Sequence, residues 1–151
     1  MISTRDLLTF TDFTDYVDFF MIDLTLVIEN KTDFKTSTKK AIKDCVIDVL
    51  KEKGIEGEIE VGLIIVEKSE IQYLNKQYRQ KDYPTDVLSF PIFDKVPQNN
   101  PVPILIGDII ICPTIMKENA DRFGVSYDTE FNNLIKHSTL HLLGYHHKGD
   151  E

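Results

Sequence analysis

Lys136-His137-Ser138-Thr139-Leu140-His141-Leu142-Leu143-Gly144-Tyr145-His146-His147 holds all 4 histidines of a 151-residue chain. Its reading decides the fold. Upstream, Ser126 is placed to cap a helix, and Asp128 and Glu130 fall in the first turn, where the helix dipole favours acids. Phe131, Leu134, Ile135 and Leu142 then form one apolar stripe, which predicts a helix running to about residue 143. Leu140 and Leu143 point to other sides, so its C-terminal half should be covered by protein nearly all round. On such a helix His137 and His141 sit one turn apart, with Cβ atoms roughly 5–6 Å from each other. Gly144 offers a residue for the positive φ that ends a helix. The chain can then turn so that His146 or His147 comes back toward the same point. Three imidazoles with a fourth position open is the arrangement of a catalytic zinc. A lone histidine beside an apolar face is ordinarily a hydrogen-bonded core or surface residue. The joint pattern of a His-x3-His pair, a helix-ending glycine and a further histidine favours a metal instead.

Working outward, the periodicity predicts four strands and further helices. Residues 22–29 alternate, with Ile22, Leu24, Leu26 and Ile28 on one face of a half-buried strand. Ser37 or Thr38 caps a helix carrying Ile42, Cys45, Val46, Val49 and Leu50 and ending at Gly54. Residues 58–67 are alternating and then continuously apolar, as in a central strand. Ser69 opens a helix with Ile71, Leu74 and Tyr78, and Arg79 lies near its end. Residues 87–93 read as a strand at a sheet edge, because Pro91 cannot donate to a ladder. Residues 94–103 read as a polar, proline-punctuated loop, and 104–112 as a strand interrupted by Gly107-Asp108. Such a glycine lets a ligand or another backbone approach closely. Pro113 suits the first turn of a helix that ends near Gly124. Residues 3–20 suggest a short helix in an N-terminal extension over 1–20, preceding a single domain over 21–151.

The length suits one core that needs no disulfide. The 2 cysteines, Cys45 and Cys112, lie in apolar contexts and read as buried small hydrophobes. No apolar run approaches the roughly 20 residues of a membrane span, and no secretory signal is visible, so the cytoplasm is the expected compartment. A formal net charge of −8 argues against broad electrostatic adhesion to nucleic acid or to an anionic membrane. It leaves room for local positive charge, and Lys76, Arg79 and Lys81 cluster.

Arg79, with its planar fork of donors, could hold a phosphate. Its plainer reading is a surface ion pair with Asp82 or Asp86. The spacing His137-x3-His141-x5-His147 coincides with the H-E-x-x-H-x-x-G-x-x-H pattern of metzincin proteases. That chemistry needs a glutamate as general base after the first histidine, and Ser138 stands there. A metzincin-like metallopeptidase is therefore the second choice.

The stretch H-S-T-L-H-L-L-G-Y-H-H at 137–147 resembles the H-G-x-L-H-L-x-G-Y-D-H hallmark of the YbeY-like metal-dependent endoribonucleases, bacterial rRNA maturation factors. The resemblance extends to Leu74-Asn75, Tyr78-Arg79, Asp82 and the run from Pro84 to Pro91, and then to Gly107-Asp108-Ile109, in the same order. It implies an α+β fold, a mixed, mostly four-stranded sheet packed with helices, with the metal site on the last helix and the turn after it. It also implies one Zn2+, or another divalent transition metal, held by His137, His141 and His147, and catalytic roles for Arg79, His137 and His141. Lys76, Asp86 and Ser89 join Arg79 as candidate substrate contacts. The implied activity is single-strand-specific RNA cleavage in small-subunit rRNA maturation and ribosome quality control, with ribosomal and ribosome-assembly proteins as partners. A ribosome-assembly binding module with little hydrolysis is a further alternative. Two positions depart from the hallmark: Ser138 replaces glycine, and His146 replaces aspartate. The second leaves two adjacent histidines competing for the third ligand position, and the alignment favours His147.

Overall fold

The structure, a computed structural model, describes residues 21–98 and 100–146. The helix expected over 3–20 and the favoured third ligand, His147, lie outside the described residues. In chain order the elements are β1 (Ile22–Asn30), α1 (Lys39–Glu52), β2 (Gly57–Ile65), α2 (Lys68–Arg79), β3 (Val87–Pro91), β4 (Asn100–Ile111), α3 (Pro113–Phe123) and α4 (Tyr127–Leu142). The four strands form one mixed sheet in the order β1-β2-β4-β3. β1, β2 and β4 run parallel, and β3 returns antiparallel along β4. This is the α+β single domain that the hallmark implied.

The alternation read in residues 22–29 sorts side chains between the sheet's two faces. Leu24, Leu26, Ile59, Val61, Leu63, Ile65, Ile109 and Ile111 point to one face and pack with Ile42, Val46 and Leu50 of α1 and Phe131, Ile135 and Leu142 of α4. Each such fully buried aliphatic side chain contributes about 1.5–3 kcal/mol relative to exposure. The opposite face buries Val66, Leu88 and Ile110 with Ile71 of α2. β2 is central, as its continuous apolar run predicts, and β3 takes the edge that Pro91 predicts.

The helix ends follow local chemistry. Thr38 Oγ1 accepts from Ala41 N at 3.2 Å, and Ser126 Oγ accepts from Thr129 N at 3.1 Å. Pro113 occupies the first turn of α3, which stops at Gly124 with φ +69°. Two expectations are corrected. α2 begins at Lys68 with Glu67 in the capping position, rather than at Ser69. β4 begins at Asn100, so the last part of the expected loop is strand. Pro101 and Pro103 are tolerated because the β3 ladder reaches β4 only from Gly107 onward, and because the β2 ladder jumps from Asn100 to Ile104 across them.

Candidate active-site cleft

α4 carries the histidines, and its seat on the sheet is set at Gly107. This residue has φ +154°, and a Cβ there would overlap the Phe90 carbonyl oxygen of β3 and a Leu142 methyl of α4. The glycine expected to permit a close approach therefore does so, between two strands and the histidine-bearing helix. Just before it the β2–β4 register slips, so that Glu60 pairs with Leu105 and Val61 with Gly107. Ile106 is the bulged residue, and a bulge of this kind re-aims the side chains beyond it.

On α4 the imidazoles of His137 and His141 lie 4.2 Å apart between ring centroids, tilted by 57°. The helix closes with Tyr145 N donating to Leu140 O at 3.0 Å. Gly144 then turns at φ +89°, where a Cβ would meet the Asp94 carbonyl oxygen at 2.7 Å. Lys53 Nζ lies 4.7 Å from the Tyr145 ring centroid. This clamped turn brings the His146 ring to 5.4 Å from that of His141. Two imidazoles bound to one ion at about 2.1 Å and a tetrahedral angle hold their centroids roughly 5 Å apart. The His141–His146 spacing matches that figure, and the His137–His141 pair needs to open only slightly. Imidazole nitrogens are a donor set that suits zinc and its neighbours. Among the described residues no three histidine, cysteine, aspartate or glutamate side chains already close around one point.

The histidines form one wall of a cleft of about 490 Å³. Tyr78 and Arg79, at the end of α2, form another wall, and the floor is Thr85, Asp86 and the strand β3. Arg79 is the last residue of α2, and the chain turns sharply behind it because Gln80 adopts φ +56°. The ion pair expected of Arg79 with Asp82 is taken by others. Lys76 Nζ lies 3.4 Å from Asp82 Oδ2, and Gln72 Nε2 donates to Asp82 Oδ1 at 3.2 Å. The Gln72 hydrogen bond and then the Lys76 charge hold the Asp82 carboxyl below its ordinary value. Asp86 is engaged elsewhere too, accepting from Thr85 Oγ1 at 3.2 Å and from Asn119 Nδ2 of α3 at 3.1 Å. The structure thus brings Arg79, Asp86, Ser89, His137 and His141 to one cavity. Lys76 stands outside it, paired with Asp82.

Several site features escaped sequence reading. Asn119 lies 33 residues from Asp86, and no local pattern links them. Asn75 is buried and donates to the Tyr83 carbonyl at 2.8 Å, tying α2 to the segment that leads into Thr85 and Asp86. Glu130, read as a first-turn acid favoured by the helix dipole, is buried. Its removal from water and then the Asp86 charge push its carboxyl up from the ordinary value. Ser138 is fully buried and lies outside the cleft lining, so the position where a metzincin needs its base faces the core. Both cysteines are free; Cys112 is buried and Cys45 half-buried, and burial raises both thiols.

A mixed sheet backed by helices, with imidazoles and a guanidinium facing one cleft at its β3 edge, defines an α+β protein with a histidine-and-arginine site. The family described as Endoribonuclease YbeY matches residues 27–151, and the chain belongs to that family. Endoribonuclease YbeY of Staphylococcus saprophyticus is 42% identical over 102 residues, covering 66% of this chain and 67% of its own. The Staphylococcus aureus (strain JH9) protein of the same name is 39% identical over 117 residues, covering 75% and 76% respectively. The solution structure of TM1509 from Thermotoga maritima is similar with a TM-score of 0.50 and 31% identity, covering 87% of this chain and 77% of that one. Among the described residues no helix is long and apolar enough to cross a membrane.

Proposed function

We propose that this protein is a metal-dependent, single-strand-specific endoribonuclease that acts in small-subunit rRNA maturation and ribosome quality control in the cytoplasm. The observation that carries this reading is the shared cleft, in which Arg79 of α2 faces His137 and His141 of α4. Family membership supports a nuclease.

His137 and His141 would hold one zinc ion or another divalent transition metal together with a third imidazole, His147 by its alignment with the hallmark or His146, which lines the cleft. When bound, such an ion supplies Lewis acidity, neutralising phosphate charge and making water acidic near neutral pH. The remaining work falls to the chain's own groups. Arg79 presents parallel N–H donors to two oxygens of the scissile phosphate and stabilises the charge that grows there during cleavage. Lys76, one helical turn earlier, neutralises Asp82 and so keeps that carboxylate from competing for Arg79. Asp86, held by Thr85 and Asn119, and Ser89 on β3 shape the floor against which the ribose and phosphate rest. Ribosomal and ribosome-assembly proteins are the partners that deliver the RNA.

Purified metal-loaded protein is expected to cleave single-stranded RNA and leave a denatured protein substrate intact. Arg79→Ala should lower kcat by about 100-fold with an unchanged melting temperature, because Arg79 is exposed. His141→Ala should lose both bound metal, read by elemental analysis, and cleavage. End-group analysis separates attack by water from attack by the 2′-hydroxyl, since only the latter leaves a 2′,3′-cyclic phosphate. Proteolysis without RNA turnover, or full RNA cleavage by both variants, would refute the proposal.

A further inference from the structure

Single-stranded RNA is held by two means: charge on the phosphates and stacking on the bases. Among the described residues lining this cleft, Arg79 is the one lysine or arginine, and the carboxylate of Asp86 is close by. The chain as a whole carries −8. Engaging one or two phosphates gives little counterion release. For a single strand, affinity would then fall only about three- to sevenfold between 50 and 200 mM salt. The Arg79 charge, with any ion the histidines hold, engages phosphates, and contact with the bases falls to the aromatic side chains.

Tyr78 immediately precedes Arg79 and lines the same cleft, yet it is 64% exposed. A large ring left in water at a cavity wall contributes little to folding. Its ring is nevertheless held: Phe90 of β3 meets it at 5.1 Å between centroids with an interplanar angle of 69°, an edge-to-face contact. Phe90 is itself anchored against the cluster of Val66, Ile71, Leu88 and Ile110. Whichever ring supplies the edge, at least one face of Tyr78 is left uncovered by Phe90. The outcome is a pre-oriented, open aromatic face on the cleft that Arg79 also lines.

We propose that Tyr78, buttressed by Phe90, is a stacking platform for one unpaired nucleobase, whose neighbouring phosphate is taken by Arg79. This rests on the endoribonuclease reading and extends it to a base subsite. Stacking accepts any base, because every base has a π-face, so the subsite selects for an unpaired nucleotide rather than for a sequence. A base engaged in a duplex has no free face to offer, which gives a physical reason for single-strand preference.

The test is a binding cycle with short single-stranded RNAs, one intact and others carrying a single abasic position at each site in turn, read by fluorescence anisotropy. The wild-type protein should bind intact RNA and lose about tenfold in affinity when one particular base is removed. Tyr78→Ala should bind intact RNA about tenfold more weakly and lose its sensitivity to the abasic position, whereas Tyr78→Phe should retain both. Arg79→Ala should bind all RNAs more weakly but keep the abasic penalty. A melting curve for Tyr78→Ala matching wild type excludes a folding effect. If Tyr78→Ala binds intact RNA as tightly as wild type, or keeps the full abasic penalty, the platform is refuted while the nuclease reading stands. If the wild-type protein neither binds nor cleaves RNA, both fall together.

Discussion

The two halves of the sheet are built differently. β1 and β2 pair in parallel without a break, from Ile22 opposite Gly57 to Asn30 opposite Ile65. The β2–β4 ladder is broken twice, and β3 contributes only the short run from Val87 to Pro91. The regular half meets α1 through plain alternation and carries no residue of the cleft. The irregular half holds the bulge at Ile106, the Gly107 backbone at φ +154° and the edge strand that floors the cleft. Repetitive pairing maximises burial but leaves every position alike. A site needs side chains aimed at one point, and breaks in the ladder provide that aim.

The largest test of this contrast compares two glycines. Gly107→Ala should cost about 3 kcal/mol or more, summing a glycine-only conformation with overpacking against the Phe90 backbone and Leu142. Gly54→Ala, at the end of α1, meets nothing within 4 Å and has φ +68°. It should cost only about 1 kcal/mol, from backbone conformation alone. Urea denaturation of both variants checks the difference, and equal costs would break the comparison. A smaller effect is expected at the corner that sets Arg79. Gln80 is the one non-glycine residue at positive φ among the described residues. Gln80→Gly should therefore stabilise the fold by about 0.5–1 kcal/mol, read as a rise in melting temperature. The smallest effect is one of slope. Burial, and then Asp86, raise the Glu130 carboxyl, so the folded state holds its proton more tightly than the unfolded chain. That contribution is fully present below the unfolded pKa of about 4.3 and is lost as pH rises through the raised folded value. Glu130→Gln should flatten the fall in melting temperature across that window, and an unchanged slope would count against the burial of a charge beside the cleft.

Much of the fold is legible in the sequence because its signals are local. Alternation marks β1, apolar continuity marks the central strand, and Thr38, Ser126, Pro113 and the glycines at 54, 124 and 144 punctuate the helices as their chemistry requires. The start of β4 is hidden because Pro101 and Pro103 are loop formers by local rule; a strand tolerates them only where its neighbour's ladder is absent or skips them. The cleft is partly legible. The histidine spacing announces itself within one helix, whereas the plain local reading pairs Arg79 with Asp82 or Asp86. Only packing shows that Lys76 and Gln72 occupy Asp82, and that Thr85 and Asn119 occupy Asp86.

The sequence by itself determined which elements form and that two histidines share one helical face, because periodicity and capping act over a few residues. Tertiary structure alone decided that the end of α2 faces that helix across a cleft, that Ser138 points into the core, and that Tyr78 keeps an open face. Those outcomes depend on how far Gly107 lets α4 sink onto β3 and on where Gln80 turns the chain. They are distances between elements remote in sequence, which no local pattern encodes.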